Sequence, residues 1–374
     1  MKRIEIIQYL KQKILSGELA PGSFLPHRSE LIRQCEASNV TVQHAVNQLI
    51  ADGFLRSCGS KGVMISPTPP HKSRFAILLP ASNWPEKPGF DTKWIAIKTV
   101  LEDLKQNRSG MSIVRYHVGK ETHQHADEYK HLLEALHNSL LAGVIIPTSL
   151  PDALLKPLEG FPIVQFEPRE RLIRAVSFNH DYVELTKLAV EKLRQCGAKR
   201  IAVLMNSELN PFFVRAIEEF LTQKPYSIRE EWIQAVSCTS REVNWTGRLL
   251  KLLFHSEQQK KPDGLVVLNE NLLSATLDAV NAMGYSIGRD IHICCHCNLP
   301  SKLTPSSPVH FVAMDWHYIF QKTLWCLRHF NELDNSFFEK EFLLPPKLVQ
   351  PLIKTHDQSA FPWSENVNKK EKIS

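Results

Sequence analysis

The chain has 374 residues, enough for two to three domains, and 43% of them are hydrophobic, which excludes a disordered chain. Lysine and arginine number 45 against 39 acidic residues, but residues 1–74 alone hold ten basic and five acidic ones, so +5 of the net +6 sits in the first fifth of the chain. Apolar runs such as 142–146 and 265–268 are far too short to span a bilayer, and the N-terminus is amphipathic rather than an apolar signal core; the expectation is a cytoplasmic protein with no membrane partner, its eight cysteines free thiols.

Ile4, Ile7, Leu10 and Ile14 recur on one face, so 2–15 suits an amphipathic first helix stopped by Gly17. Pro26 suits the first turn of a second helix whose apolar face is Leu31, Ile32 and Cys35. Ser38 is placed to cap a third helix. There Val42, Ala45, Val46, Leu49 and Ile50 follow the buried-face spacing, while Thr41, Gln43, His44, Asn47 and Gln48 fall opposite. Gly53 ends it, Phe54-Leu55-Arg56 begins a strand, and Gly59-Ser60-Lys61-Gly62 turns a glycine-bracketed wing into Val63-Met64-Ile65. This order is a winged helix-turn-helix, and basic charge concentrated in a small domain is the footprint of a nucleic-acid binder. Gln43, His44, Asn47 and Asn39 are the candidate base readers, since amide side chains pair bidentately with adenine. Each serves equally as a solvated helix face. The alternative for the whole segment is a helical interaction module, which the charge argues against.

Residues 1–66 resemble the DNA-binding head of GntR-family transcription regulators through Gly17, Pro21-Gly22, Leu25-Pro26, Glu30-Leu31, Ser38, Thr41-Val42, Ala45, Leu49, Gly53 and Gly62. The resemblance implies DNA contacts at Arg28, Ser29, Ser38, Asn39, Thr41, Gln43, His44, Asn47, Lys61 and Gly62. The family places arginines at the positions of Ser29 and Asn39, and often a basic residue at Gln43. Their absence implies an altered sequence preference, with Arg28 a partial substitute.

Residues 67–74 form a short proline-rich stretch that reads as a semi-rigid linker. Beyond it, strand signals at 75–79, 112–118, 143–146, 162–166, 175–178, 200–204, 232–236, 264–268 and 292–295 alternate with helix signals at 94–105, 128–137, 182–196, 212–221, 244–254 and 272–283. Such alternation implies βαβ units and parallel sheets, here two of them in one two-lobed α/β body over 75–356. Residues 357–374 read as a frayed polar tail.

The body resembles the effector domain of the sugar-repressor (LacI) family, which shares its fold with periplasmic sugar-binding proteins. The matching stretches are Ala142-Gly143-Val144-Ile145-Ile146, Phe161-Pro162-Ile163-Val164, Val176-Ser177-Phe178-Asn179, Gly197-Ala198-Lys199-Arg200-Ile201-Ala202, Pro262-Asp263-Gly264 with Asn269-Glu270, and Arg289-Asp290-Ile291. A GntR head on such a body is the arabinose-repressor arrangement. The resemblance implies a sugar bound between the lobes, with Arg215 gripping it and Asn269 beside it. Asn83 and Trp84 follow the first strand, where the indole either stacks on a sugar ring or packs between lobes. Cys297, with Asn298 next to it, holds the place of the family's ligand-binding aspartate.

Cys294-Cys295-His296-Cys297 has the donor types of a zinc site, but alternation along a strand sends its members to opposite faces, so the residues read as core. No nucleophile elbow, P-loop or H-E-x-x-H pair is present, and nothing resembles the lysine motif of an aminotransferase-like body. The β-rich alternation speaks against an all-helical metal-binding body. The expectation is a non-enzymatic repressor without cofactor. As a homodimer it binds a pseudo-palindromic operator in double-stranded DNA and answers to a small-molecule, carbohydrate effector. The alternative is a small-molecule sensor acting through a protein partner, with only non-specific DNA binding.

Overall fold

The computed structural model describes residues 1–80, 92–106, 110–118, 126–168, 172, 174–207, 209, 211–237, 244–301, 303 and 307–349. The chain opens with three helices, α1 (Arg3–Leu15), α2 (Arg28–Cys35) and α3 (Asn39–Asp52), and a hairpin of β1 (Leu55–Ser57) and β2 (Val63–Ile65). They close on a core of Ile6, Leu10, Ile14, Leu31, Cys35, Val42, Ala45, Leu49, Phe54 and Ile65. The α1 face differs from the expected row: Ile6 is buried with Leu10 and Ile14, while Ile4 is 63% exposed. Both rows share Leu10 and Ile14, so only packing against α3 selects the flank that turns inward. Pro26 also lies outside α2, whose N-cap is His27. Leu25 donates its amide to Val63 O at 2.8 Å and Phe24 bridges Met64, which holds this stretch extended on the wing and delays the helix. Gly53 ends α3 at φ +90°, a backbone only glycine adopts without strain.

A helical turn, α4 (Pro70–Ser73), leads into the body. It is closed by Ser73 Oγ, which donates to Thr68 O and Pro69 O, and Arg74 already opens the first body strand.

The first lobe runs through β3 (Arg74–Pro80), α5 (Thr92–Gln106), β4 (Ser112–Val118), α6 (Ala126–His137), β5 (Gly143–Ile146), α7 (Asp152–Leu155), β6 (Ile163–Phe166) and β7 (Val176–His180). The chain then crosses to the second lobe, with α8 (Tyr182–Gln195), β8 (Ile201–Asn206), α9 (Pro211–Thr222), β9 (Ile233–Val236), α10 (Trp245–Leu253), β10 (Gly264–Val267), α11 (Leu273–Ala282), β11 (His292–Leu299) and β12 (Val309–Asp315). It returns through α12 (Trp316–Arg328), α13 (Asn335–Glu339) and β13 (Glu341–Leu344) to the first sheet, and ends in β14 (Lys347–Val349) on the second. The sheet orders are β13-β7-β6-β5-β3-β4 and β14-β12-β11-β10-β8-β9, all parallel except β14 against β12. Strands β5, β6, β7 and β10 are buried at every position, because helices cover both faces of a parallel sheet. The expected strand at 292–295 continues to Leu299, and the elements after residue 307 were not anticipated.

Head and body meet through a small joint. Lys11 Nζ donates to Asn138 O at 3.3 Å, and Leu140 packs on the head core. His71 stacks on Phe54 with ring centroids 5.9 Å apart, and neither ring nitrogen has a partner among the described residues.

Candidate DNA-binding head and interlobe ligand site

In the head, Ser38 caps α3 by accepting from Thr41 N at 3.2 Å, and its hydroxyl lies 2.8 Å from Thr41 Oγ1. Asn39, His44 and Asn47 are exposed, and Gln43 Nε2 donates to Asn47 Oδ1 at 2.6 Å. Arg28 and Ser29 are exposed at the start of α2, next to the Phe24–Leu25 stretch that is bonded to the wing. Lys61 and Gly62 are exposed at the wing tip, where Gly62 takes φ +101°. Arg28, Arg56 and Lys61 have no acidic partner among the described residues. Their charge faces solvent, which suits phosphate contact. By contrast Lys13 and Arg33 are ion-paired to Glu18 and Glu30, and Lys11 stands 3.6 Å from Asp52.

In the body, polar side chains gather at the carboxyl ends of β6 and β7 and the first turns of α5, α8 and α12, where open α/β sheets bind ligands. Glu167 is the hub: its Oε1 lies 2.7 Å from His180 Nδ1 and accepts the Tyr182 hydroxyl at 2.7 Å, and its Oε2 is 3.9 Å from Lys93 Nζ. Burial alone would raise the Glu167 carboxyl, but the charges of His180 and Lys93 and the bonds from His180 and Tyr182 outweigh it and hold the group well below the usual carboxylate range. Its backbone sits at φ +47°, a strained position of the kind that clusters at binding sites. Lys93 Nζ lies over the Trp316 ring at 5.5 Å, His180 meets the same ring edge-on at 5.8 Å, and Tyr182 packs on Phe213 of α9. From the second lobe comes His296, pushed down to about 3 by burial, with His180 and Lys93 acting in the same sense. Among the described residues, His180 Nε2, His296 Nδ1 and Thr92 Oγ1 are buried without partners. Beside it, Ile146, Thr148, Ser149, Gln165 and Phe166 line a small pocket.

The residues named from the sequence distribute unevenly around this cluster. Asn83 and Trp84 lie outside the described residues. Arg215 is exposed on α9, two residues after Phe213, with no bonded partner among the described residues. Asn269 Oδ1 accepts from Asn271 N at 2.9 Å, and Asn271 Oδ1 in turn accepts from Thr92 N of the other lobe at 3.3 Å. The Cys297 side chain is fully buried in the second-lobe core. Asn298 gives its amide N–H and Nδ2 to Glu270 and accepts Trp316 Nε1 at 2.8 Å. The Asn298 amide is thus used inside the protein as a tie between β11 and the first turn of α12. Cys294, Cys295 and Cys297 are buried in β11, where burial pushes their thiols up, Cys294 to about 12. Among the described residues no group of three or more His, Cys, Asp or Glu is arranged to hold a metal ion, and no helix is long and apolar enough to cross a membrane.

Sequence reading missed Glu167, His180, Tyr182, Lys93 and Trp316, and took His296 for strand core. The signal for Glu167 is a charged residue directly after the buried strand Ile163–Phe166. His180 stands one place beyond the Val176–Asn179 motif. The others are contributed by four separate segments and carry no local signature.

Residues 2–65 match the family model described as bacterial regulatory proteins, gntR family. No curated protein matches the chain. The structure is similar to that of a putative transcriptional regulator LacI from Bacillus cereus subsp. cytotoxis NVH 391-98, at 16% identity and a TM-score of 0.56, covering 75% of this chain and 97% of that one. A regulatory protein of LacI family from Chloroflexus aggregans gives 16% identity and 0.55, covering 74% and 97%. The lac repressor dimer bound to operator and the anti-inducer ONPF gives 17% identity and 0.53, covering 86% and 93%. At these identities the likeness is one of fold. The head is a GntR-family winged helix-turn-helix, and the body has the two-lobed fold of LacI-family regulators. The chain thus joins a head that matches bacterial regulatory proteins of the gntR family to a body with the fold of LacI-family regulators.

Proposed function

We propose that this protein is a repressor that binds a pseudo-palindromic operator as a homodimer in the cytoplasm and is controlled by a carbohydrate held between its lobes. The observation that carries the ligand reading is the set of buried, unpartnered atoms around Glu167. An ionised carboxylate only accepts hydrogen bonds, so His180 Nδ1 carries the proton that faces Glu167. The other ring nitrogen, Nε2, is buried without a partner among the described residues, as are the Thr92 hydroxyl and His296 Nδ1. Buried polar atoms want partners. A polyhydroxylated ligand supplies donors and acceptors at short spacing without adding charge to the Lys93–Glu167 pair. Phe213 offers an apolar face for a sugar ring, and Arg215 and Asn269 lie on the elements that border the cluster.

Two further observations support the regulatory reading. On α10, Trp245 and Leu252 are 48% and 62% exposed and seven residues apart on one helix face, an apolar stripe suited to a second copy of the chain. The solved lac repressor relative is itself a dimer on operator DNA. Coupling has a short route: Asn138 and Leu140 touch the head, β5 starts at Gly143, and its last residue, Ile146, lines the small first-lobe pocket that also takes in Phe166 and Pro168, the residues either side of Glu167. A ligand that favours one lobe arrangement therefore shifts the head through a single buried strand.

The test is selection of genomic fragments by the purified full-length protein at near-physiological salt, with and without a panel of neutral sugars. A recovered palindrome whose occupancy changes with one sugar supports the proposal. Binding without any motif, or a response only to a protein partner, overturns it in favour of a sensor with non-specific DNA affinity.

A further inference from the structure

The exposed face of α3 is not wholly polar. Val40 is 64% exposed, whereas Val42 and Val46 on the same helix are buried. Val40, Gln43, His44 and Asn47 stand at i, i+3, i+4 and i+7, so Val40 heads the stripe that carries the candidate base readers. Nothing in the fold calls for it there, since a β-branched residue is no favoured helix former and this side chain leaves its methyl groups in water. Its neighbours on the first turn are otherwise engaged or polar: the Ser38 and Thr41 hydroxyls bond each other, and Asn39 is exposed. Farther along, the Gln43–Asn47 bond uses one amide donor and one acceptor, leaving Gln43 Oε1 and one N–H for a base edge.

We propose that Val40 is a specificity-determining residue that packs against the 5-methyl group of a thymine in the major groove. The thymine methyl is the one apolar group that projects from the floor of that groove, among donors, acceptors and the flat C5–H of cytosine. A valine at the leading turn of the inserted helix, followed one turn later by an amide pair, selects thymine next to a base read by Gln43. This assignment rests on the DNA-binding reading of the head and adds which base chemistry the head recognises.

The experiment begins with duplexes selected from a random pool by the full-length wild-type protein. Each thymine of the recovered half-site is then replaced in turn by deoxyuridine, which lacks only the methyl group, and binding is measured for wild type and Val40→Ser. The substitution is at an exposed site, so folding is unaffected. One position is expected to weaken wild-type binding about four-fold per half-site, the worth of one buried methyl group. Val40→Ser is expected to bind the thymine and uracil duplexes equally there. Wild-type indifference to uracil at every position overturns the inference while leaving the regulator reading intact, as does an undiminished uracil penalty in Val40→Ser. Failure of the wild type to select any sequence overturns the regulator reading and this inference with it.

Discussion

Replacing His71 by phenylalanine should flatten the acid side of the stability profile. His71 stacks on Phe54 at the joint between head and body, and both ring nitrogens are buried without partners. Burial, with a smaller push from Lys72, lowers its pKa to about 4 from 6.5. The folded protein keeps this ring neutral while the unfolded chain takes up a proton below pH 6.5, so stability is lost as pH falls. Between pH 7 and pH 5 the linkage amounts to about 2 kcal/mol. His296, lowered to about 3 from 6.5, adds a loss of about the same size over that interval. Wild type should therefore lose about 4 kcal/mol from the two rings and His71→Phe about half as much. At pH 7 the variant should also gain about 1–2 kcal/mol, because phenylalanine keeps the stack and removes two unsatisfied nitrogens. Urea unfolding at pH 7, 6 and 5 reads both effects from the midpoints at constant slope. An unchanged pH dependence in His71→Phe, or a variant less stable than wild type at pH 7, would refute the reasoning.

Three other outcomes follow from the same geometry. Asn298→Ala keeps the backbone bond to Glu270 but strips the Nδ2 hydrogen bond from that buried carboxylate and leaves the fully buried Trp316 indole N–H without its acceptor, so unfolding should show a loss of about 3 kcal/mol; an effect below about 1 kcal/mol would mean water replaces the tie. Arg28→Ala and Lys61→Ala should each weaken binding to all sequences and reduce the slope of log affinity against log salt by about one, and unchanged slopes would remove both residues from the phosphate contacts. Glu167→Gln loses the charge that fixes the His180 tautomer, so the thermal shift caused by the effective sugar should vanish while DNA affinity without sugar stays as in wild type; a retained shift would place the ligand elsewhere.

The winged head was legible because its determinants are local. The Ser38 cap, the buried spacing of Val42, Ala45 and Leu49, and glycines at Gly53 and Gly62 that must take positive φ are properties of short segments. Strands such as Gly143–Ile146 and Gly264–Val267 were equally plain, since a parallel strand buried on both faces is a continuous apolar run. Local pattern left open which flank of α1 is buried, because Ile4 and Ile6 are equally apolar and only the position of α3 separates them. It also left open the end of the body after residue 307, where α12 and β13 rejoin the first lobe across the chain's second crossing. Cys297 and Asn298 stand where family resemblance puts ligand contacts, yet packing draws one into the core and binds the other to Glu270 and Trp316.

By itself, then, the sequence determined the two kinds of domain, their order and the basic character of the head, all written in periodicity, glycine placement and charge over fewer than about 20 residues at a time. Only the tertiary structure decided the polar cluster around Glu167. Lys93, Glu167, His180, Tyr182, His296 and Trp316 come from five elements and one loop spread over more than half the chain. They meet because two parallel sheets aim their carboxyl ends at one cleft, and the chain crosses between the sheets beside it.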